Sequence, residues 1–293
     1  MSRTVARSYD IAGKIALVTG AGQGIGRALA RELHWRGTTD AALDVDEPAV
    51  AVLAEELGAD RALALTGDVR ERDAMADAVE RVVERFGRLD IVIANAGVAP
   101  PTATLRTIDP DEYDRVIGIN QTGVFNTIHP AIEPVIASRG HMVIISSVAA
   151  FVPGVGGSPY MISKAAVEQL GRALRLELAA NGASAGVAHF GFVETGMTRD
   201  AIDGDPLVRR ATRRLPPPLR RRISADEAAR AVVDGIARRA PRTIVPPAWR
   251  FWALLRGVVN LAADGPVAAH RETHAVVREL EARGRESKVG AGR

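Results

Sequence analysis

The chain has 293 residues, 47% of them hydrophobic and 4% aromatic, which is enough for one large α/β domain with a buried core. Its 38 Lys and Arg against 35 Asp and Glu leave a net charge of +3, so composition gives no case for a nucleic-acid partner. Cysteine is absent, which excludes disulfides, thiol catalysis and cysteine-based metal sites. No apolar run approaches the roughly 20 residues of a membrane-spanning helix, and the segment 1–10 lacks the apolar core of a signal peptide. We therefore expect a soluble, cytoplasmic protein with no transmembrane segment.

The first predicted elements are a strand, a glycine-containing loop and a helix. The apolar run 14–18 closes in Thr19-Gly20, and residues 26–33 show helical periodicity. In this setting Gly20 permits a tight turn, Gly24 lets the backbone approach a pyrophosphate, and Gly26 lets helix and strand pack closely. A plain flexible turn is the alternative interpretation. The loop supplies five candidate cofactor contacts: Gly20, Gln23, Gly24, Ile25 and Gly26.

The second predicted strand, 38–43, ends at Asp44. A carboxylate about 20 residues beyond a glycine loop can accept hydrogen bonds from an adenosine ribose and would repel a 2′-phosphate. The position therefore favours NAD over NADP. Asp46 competes for the same role, and Asp40, inside a strand expected to be buried, has no evident partner in the sequence.

The middle of the chain continues the alternation of strands and helices. The predicted elements are a helix over 48–57, a strand over 61–65, a helix over 72–86 that ends at Gly87, a strand over 89–94, and a helix from 111 that bends after about 128 at Pro130 and Pro134. Asn95, Ala96 and Gly97 follow the fourth strand. They offer small side chains and one amide where a cofactor would cross the strand ends.

The apolar run 141–145 leads into Ser146-Ser147, and a glycine-rich loop over 153–159 precedes a helix predicted over 158–178. In that helix Tyr160 and Lys164, four residues apart, lie on one face, one turn from each other. A fixed positive charge within a few ångströms lowers the pKa of a phenol, which is otherwise about 10. We therefore expect Lys164 to lower the pKa of Tyr160, with the Ser147 hydroxyl brought beside the phenol.

Together Ser147, Tyr160-x-x-x-Lys164, Thr19-Gly-x-x-x-Gly-x-Gly26 and Asn95-Ala-Gly97 resemble the short-chain dehydrogenase/reductase family, from about residue 14 to about 198. The resemblance implies a single doubly wound α/β domain with a mostly parallel, Rossmann-type sheet. It also implies that Tyr160 is the general acid/base, that Lys164 binds the nicotinamide ribose as well, that Ser147 orients the substrate oxygen, and that Asn120 holds a water linked to the lysine.

The same resemblance adds contacts at both ends of the cofactor. Asp68 and Val69 would touch the adenine, although Asp68 could equally be a helix N-cap. Val193 and Thr195 would meet the nicotinamide end. Three positions depart from the family pattern: Ala94, Gln121 and Phe190. At these positions the family usually has Asn, an apolar residue and Pro, in that order.

We predict a catalytic domain over 1–248 and a helical extension over 249–293. The domain includes a long segment, 196–223, expected to be a loop that acts as a lid. Its seven arginines could hold an anionic substrate or form a solvated basic face, and the second is favoured. The extension begins with an aromatic stretch, Trp249 to Trp252, which we expect to be covered by a partner subunit, the domain's own cleft or a bilayer surface, in that order. His270 and His274 do not form a zinc motif, so no metal is expected.

The sequence thus predicts an NAD-dependent oxidoreductase that interconverts a small hydrophobic secondary alcohol and its ketone. Apolar residues at 148–152 and after Thr195 are expected to line the substrate pocket. We expect a homodimer or homotetramer, with peripheral membrane contact possible. Two alternatives stay open: an NAD-binding regulatory module, and a membrane-surface protein built on the basic segment and the aromatic stretch.

Overall fold

The computed structural model describes residues 9–291, with side chains for residues 9–285. Nine strands occur in this part of the chain: β1 Ile15–Thr19, β2 Thr39–Asp44, β3 Ala62–Thr66, β4 Ile91–Ala94, β5 His141–Ser147, β6 Ser184–Phe190, β7 Phe192–Glu194, β8 Arg222–Ser224 and β9 Arg242–Val245. Seven of them form one parallel sheet in the order β3-β2-β1-β4-β5-β6-β9, and β7 pairs with β8 separately. The strands of the large sheet are short and largely buried, as expected of a sheet covered on both faces.

The described chain has twelve α-helices, of which the last two follow the final strand: α1 Gly24–Trp35, α2 Glu47–Leu57, α3 Arg72–Phe86, α4 Pro110–Ile117, α5 Gly123–Ile128, α6 Ile132–Ala137, α7 Ser158–Ala179, α8 Gly196–Thr198, α9 Pro206–Thr212, α10 Ala225–Ala237, α11 Ala248–Ala269 and α12 Arg271–Ala291. Helices α1, α2 and α10 pack on one face of the sheet. Helices α3, α5, α6 and α7 pack on the other, so the apolar core has two layers.

The order of the strands reverses between β1 and β4, because the chain runs outward to β3 and then returns to the other side of β1. In open parallel sheets ligands bind outside the carboxyl ends of the strands at such a reversal. Here that edge brings together Gly20, Asp44, Asn95 and Ser147, each at or just past the end of its strand. The predicted doubly wound, Rossmann-type fold is confirmed.

The helix predicted from residue 111 is interrupted twice. One π-helical turn, Gly118–Thr122, separates α4 from α5, and a 3-10 turn, His129–Ala131, separates α5 from α6. The prolines account for the second break, as expected, because a proline removes a backbone donor. The π turn at Asn120 was not predicted, and nothing in the structure explains the glutamine at position 121.

The segment 196–223 is not the loop that its length and prolines suggested. It folds as α8, a π turn at Arg199–Asp203, α9, a 3-10 turn at Pro217–Arg220 and the first residues of β8. Four of its arginines form ion pairs: Arg210 with Glu279, Arg214 with Glu272, Arg221 with Glu227 and Arg222 with Asp203. These ion pairs agree with the favoured interpretation of the arginines, which is that they form a solvated basic face.

Asp40 finds its partner two residues earlier in the chain. The Thr38 hydroxyl donates a hydrogen bond to Asp40 Oδ1 at 2.7 Å, and His34 Nδ1 lies 3.4 Å from Oδ2. Burial raises the pKa of this carboxyl to about 7. The sequence could not show this pairing, because Thr38 lies just before the strand and its orientation depends on the fold.

The extension lies on the domain through two different kinds of contact. Helix α11 inserts Trp249, which is 1% exposed, into an apolar cluster with Phe151 and Leu219. Helix α12 packs Val276 and Leu280 against Leu207 and is flanked by exposed ion pairs. The described residues contain no helix that is both long and apolar enough to cross a bilayer.

Glu168, on α7, joins the extension to the helix that bears Tyr160 and Lys164. Both oxygens of this buried carboxylate accept hydrogen bonds from Arg256 of α11, each at 2.8 Å, whereas His189 Nε2 lies farther away, at 3.7 Å. Burial by itself would raise the pKa of Glu168, but the contacts with His189 and Arg256 lower it to about 2.

We predict that Glu168→Gln lowers the free energy of unfolding at pH 7 by about 1–3 kcal/mol, because a buried charged hydrogen bond is lost. A carboxylate whose pKa is lower in the folded than in the unfolded chain stabilises the fold above its unfolded pKa, near 4.5, and this contribution disappears as the pH falls towards 2. Urea unfolding of wild type and variant should therefore differ at pH 7 and converge as the pH falls to about 2 and below. The exposed Glu177 of the same helix serves as the control, and an equal loss in Glu177→Gln would contradict the prediction.

Candidate active site

Two cavities meet at the carboxyl edge of the sheet. The first, of about 390 Å³, runs from Asp44 and Asp68 past the glycine loop to Lys164, and we call it the cofactor cleft. The second, of about 370 Å³, lies between the loop after β5, the 196–215 segment and the extension, and we call it the apolar cavity. Five residues line both of them: Ser147, Tyr160, Gly191, Met197 and Thr198.

The glycine loop keeps the cofactor cleft open. Gly20 and Gly24 have φ of 67° and 53°, a backbone region that other residues rarely adopt. A Cβ on Gly26 would lie 1.9 Å from the Gly20 carbonyl oxygen, so helix α1 can approach the loop only with glycine there. Asn95 Nδ2 donates hydrogen bonds to the carbonyls of Thr19, at 2.9 Å, and Gly20, at 3.2 Å. The amide predicted to face the cofactor therefore holds the loop in place.

Asp44 and Asp46, the two candidates for the ribose contact at the end of β2, have different positions and partners. Asp44 lines the cofactor cleft, and its Oδ2 accepts a hydrogen bond from Gly22 N at 2.9 Å. Asp46 is the N-cap of α2, where its side chain accepts from Ala49 N at 3.1 Å. Of the two, Asp44 is thus the one available to a bound molecule.

Asp68 and Val69 both line the cofactor cleft beyond Asp44. The Asp68 carboxylate forms hydrogen bonds with the Arg70 side chain, which keep its pKa below its usual range. It does not cap α3, since Glu71 occupies the N-cap position. The alternative interpretation of Asp68 as a helix cap is therefore wrong.

Asn120 is fully buried in the π turn and lines neither cavity. Its Oδ1 accepts from Val98 N at 2.8 Å, and its Nδ2 donates to Val98 O at 2.9 Å and Ser163 Oγ at 3.2 Å. A Cβ on Gly97 would lie 3.3 Å from this Oδ1 and 3.4 Å from Lys164 Nζ. The side-chain amide is thus engaged by the protein, close to the lysine ammonium group.

Ser147, Tyr160 and Lys164 come together where the two cavities join. Ser147 ends β5, with its Oγ 3.5 Å from the Phe190 carbonyl oxygen and accepting from Ala149 N at 3.1 Å. Lys164 Nζ donates to the Ile145 carbonyl at 3.0 Å and lies 5.6 Å from the centre of the Tyr160 ring. Lys164 lines only the cofactor cleft, whereas Ser147 and Tyr160 line both cavities.

The expected lowering of the Tyr160 pKa by Lys164 is wrong for this chain. Burial raises the pKa of the phenol, and a hydrogen bond with Ser147 opposes this effect only in part. Burial also lowers the pKa of Lys164, to about 8. A raised pKa favours the protonated phenol, which is the form that donates a proton.

The cleft residues fit a nicotinamide dinucleotide. Such a molecule needs backbone that approaches its diphosphate closely, a carboxylate for one ribose and donors for the other. The cofactor cleft offers the glycine loop at the N-terminus of α1, then Asp44 at one end and Lys164 at the other. Val193 and Thr195 line the same cleft, and Thr195 Cγ2 would lie 3.4 Å from a Cβ on Gly24 of the glycine loop. No cluster of His, Asp and Glu residues suited to a metal ion occurs among the described residues.

Comparison with known proteins agrees with this geometry. The sequence model of the short chain dehydrogenase family matches residues 14–205. A cis-4-hydroxycyclohexanecarboxylate dehydrogenase from Sinomonas cyclohexanicum is 35% identical over 222 residues, which cover 75% of this chain and 87% of the relative. A 3-oxoacyl-[acyl-carrier-protein] reductase from Thermotoga maritima is 33% identical over 194 residues, 64% of this chain and 76% of the relative.

Among solved structures, a short chain dehydrogenase/reductase from Burkholderia phymatum in complex with NAD superposes with a TM-score of 0.75 at 25% identity, covering 87% of this chain and 96% of the other. The chain therefore belongs to the short-chain dehydrogenase/reductase family of oxidoreductases. The predicted membership is confirmed.

The apolar cavity includes residues that the sequence did not assign to the substrate pocket. Trp249 lines it from α11, and Val276 and Leu280 line it from α12. The predicted residues Val148 and Val152 line it as well, together with Met197 and others after Thr195. The signal for Val276 and Leu280 was their four-residue spacing on a charged helix, which indicates a narrow apolar face but not what it contacts.

Proposed function

We propose that the chain is an NAD-dependent oxidoreductase that interconverts an uncharged, hydrophobic secondary alcohol and its ketone. The observation that carries the proposal is the position of Ser147 and Tyr160 at the junction of the two cavities, with Lys164 on the cofactor side. A substrate oxygen in the apolar cavity can meet both hydroxyls, while its carbon faces the cofactor cleft. The alternative of a regulatory NAD-binding module explains neither this junction nor the second cavity.

Each residue of the group has one task in the proposed mechanism. Ser147 donates a hydrogen bond to the substrate oxygen and fixes its position. Tyr160 donates its proton to that oxygen in ketone reduction and accepts it in alcohol oxidation. Lys164 binds the nicotinamide ribose, and Asn120 supports a water next to the lysine. The bound nicotinamide would supply or accept the hydride.

The preference for NAD is supported by Asp44, which lines the cleft beyond the glycine loop with a carboxylate that a 2′-phosphate would meet at close range. Gly22 N donates to one of its oxygens and Asp46 N to the other, and the two hydrogen bonds fix its orientation. The remaining cofactor contacts are those of the cleft: Gly20, Gln23, Gly24, Ile25, Gly26, Asp68, Val69, Asn95, Ala96, Gly97, Val193 and Thr195.

The substrate class follows from the lining of the apolar cavity. Among the described residues, its polar groups are the hydroxyls of Ser147, Tyr160 and three threonines and the indole N–H of Trp249, and no Lys, Arg or His lines it. A buried carboxylate without a cationic partner is costly. We therefore expect an uncharged substrate, in contrast to the carboxylate that the name of the Sinomonas relative specifies.

The test is a panel of secondary alcohols and ketones followed by nicotinamide absorbance, with each neutral compound paired with its carboxylated analogue. Substituted cyclohexanols and cyclohexanones are suitable, because a cavity of about 370 Å³ accommodates one or two rings. We expect turnover of neutral members and at least tenfold lower kcat/KM for the charged ones. Preference for the carboxylates would refute the proposed class, and no turnover of any member with either cofactor would favour the regulatory module.

Leu280→Ala should shift the size preference within the same panel. Leu280 is 1% exposed and lines the cavity from α12, where its Cδ1 would lie 3.2 Å from a Cβ on Gly156. The variant should lower kcat/KM for the best small substrate about tenfold and move the optimum towards bulkier neutral ones, since a hydrophobic contact in a pocket contributes about 1–3 kcal/mol. Leu176→Ala, an exposed leucine on α7, is the control. An unchanged order of substrates would show that α12 does not form this wall.

The division into a catalytic domain over 1–248 and an extension over 249–293 remains a proposal, as do the cytoplasmic location and the homo-oligomeric state. Helices α11 and α12 form part of the wall of the apolar cavity. This supports the domain's own cleft as a cover for the extension's aromatic residues, although the predicted order placed it second, after a partner subunit. Phe251 is an exception, because it is 69% exposed.

A further inference from the structure

Helix α11 carries an apolar stripe on the face that points away from the domain. Its four residues, Phe251, Leu254, Val258 and Leu261, are 69%, 80%, 72% and 87% exposed. Their spacing of three, four and three residues is the pattern by which two helices pack along a common seam. We call these four residues the α11 stripe.

The helix cannot turn to bury the stripe against its own domain, because its opposite face is already fixed. Trp249 is buried, Arg256 makes two hydrogen bonds with Glu168, and Asn260 Nδ2 donates to the Phe151 carbonyl at 2.8 Å. The exposed stripe is therefore a property of the folded chain.

The area of the stripe suits an interface between two copies. Four apolar side chains with this exposure present on the order of 500 Å², which is near the upper limit for a monomer. Two facing stripes would bury about 1,000 Å² in total, which is the lower limit of a specific interface.

The charges beside the stripe select an antiparallel arrangement. When the helices run in opposite directions about a two-fold axis, Phe251 faces Leu261 of the second copy and Leu254 faces Val258. Arg250, whose Nε donates to the Ile244 carbonyl at 3.2 Å, and the exposed Asp264 lie on the same flank at opposite ends of the stripe. In the antiparallel pair, Arg250 of each copy then faces Asp264 of the other. Gly257 lies between them on this flank, near the axis, where its lack of a side chain permits close approach.

A parallel pair would place Arg250 against Leu255 and Asp264 against Ala269, with no charged partner. A bilayer surface is also disfavoured, because interfacial helices have several Lys or Arg residues on their polar face. Helix α11 has Arg250 and Arg256, and Arg256 is engaged by Glu168.

We propose that the α11 stripe is a self-association surface that binds the same stripe of a second copy in antiparallel orientation. The contact is isologous, as in most homodimers. Because the inner face of α11 contributes Trp249 to the apolar cavity, pairing of the outer faces would also hold this wall in position. The proposal concerns assembly and stands independently of the cofactor and substrate.

The first test measures the mass of the full-length protein by sedimentation equilibrium over a range of concentrations. The double variant Leu254→Glu, Leu261→Glu should halve the mass found for the wild type, because four carboxylates would meet in the seam. Trp35→Glu, which replaces a side chain that is 77% exposed on α1, is the matched control and should leave the mass unchanged. Circular dichroism would verify that the variants are folded.

The second test exploits the charge pairs and avoids the apolar residues. Arg250→Asp alone and Asp264→Arg alone should each raise the dissociation constant about two- to fivefold, as expected for exposed pairs present twice, and the two together should restore it. An unchanged mass in the stripe variant, or the absence of restoration in the combined charge variant, would overturn the proposal. So would a monomeric wild type that sediments with vesicles of anionic lipid.

Discussion

Tyr160→Phe is expected to reduce kcat by about 10²–10⁴, because a positioned proton donor contributes a factor of that size. The variant removes one hydroxyl and leaves the ring, which lies 5.6 Å from Lys164 Nζ and lines both cavities. The affinity for NADH should therefore change little. Steady-state kinetics with ketone, together with fluorescence titration of NADH, separates the two effects.

The control for this variant is Tyr113→Phe on α4, whose residue lines neither cavity within the described chain. It should retain wild-type kcat. Near wild-type turnover in Tyr160→Phe would remove Tyr160 from the mechanism. If Tyr160→Phe lost both NADH binding and turnover, the role of Tyr160 would instead be structural.

Asp44→Ala should narrow the preference for NAD over NADP by about 10- to 100-fold. The carboxylate is expected to accept hydrogen bonds from the adenosine ribose and to repel a 2′-phosphate, effects on the order of 1–3 kcal/mol. The variant also removes the hydrogen bond from Gly22 N, so some loss of NAD affinity is expected as well. The ratio of kcat/KM for the two cofactors is the measurement.

Asp46→Ala provides the matched control, since Asp46 lies two residues away and caps α2. It should lower the free energy of unfolding by about 1 kcal/mol and leave the cofactor ratio unchanged. A wild type that uses NADP better than NAD would show that the carboxylate at the end of β2 has been misassigned.

The sequence predicts the sheet, the glycine loop and the three residues at the cavity junction, because these depend on local patterns. Strand, loop and helix follow one another in the first 33 residues, and the four-residue spacing of Tyr160 and Lys164 fixes their common face once α7 forms. Most element boundaries fall within two residues of those predicted.

Other features depend on contacts between distant parts of the chain and leave no local pattern. The π turn at Asn120 is one, since the side chain that occupies it bonds to Val98 and Ser163. The raised pKa of Tyr160 is another, because burial is set by the whole fold, whereas the pairing with Lys164 is local. The ordered structure of 196–223 likewise depends on α12, through the ion pairs of Arg210 and Arg214.

The apolar cavity has two walls of different origin in the chain. Ser147 and Tyr160 lie within residues 14–205, the part that matches the family, whereas Val276 and Leu280 come from a helix that begins more than 60 residues later. Mutations in α12 are therefore expected to alter the shape of the apolar cavity while Ser147 and Tyr160 stay untouched. Two homologues with the same reaction centre could differ in substrate selectivity through their C-terminal helices alone. Chimaeras that exchange only the segment after Pro247 would be a direct route to new selectivity.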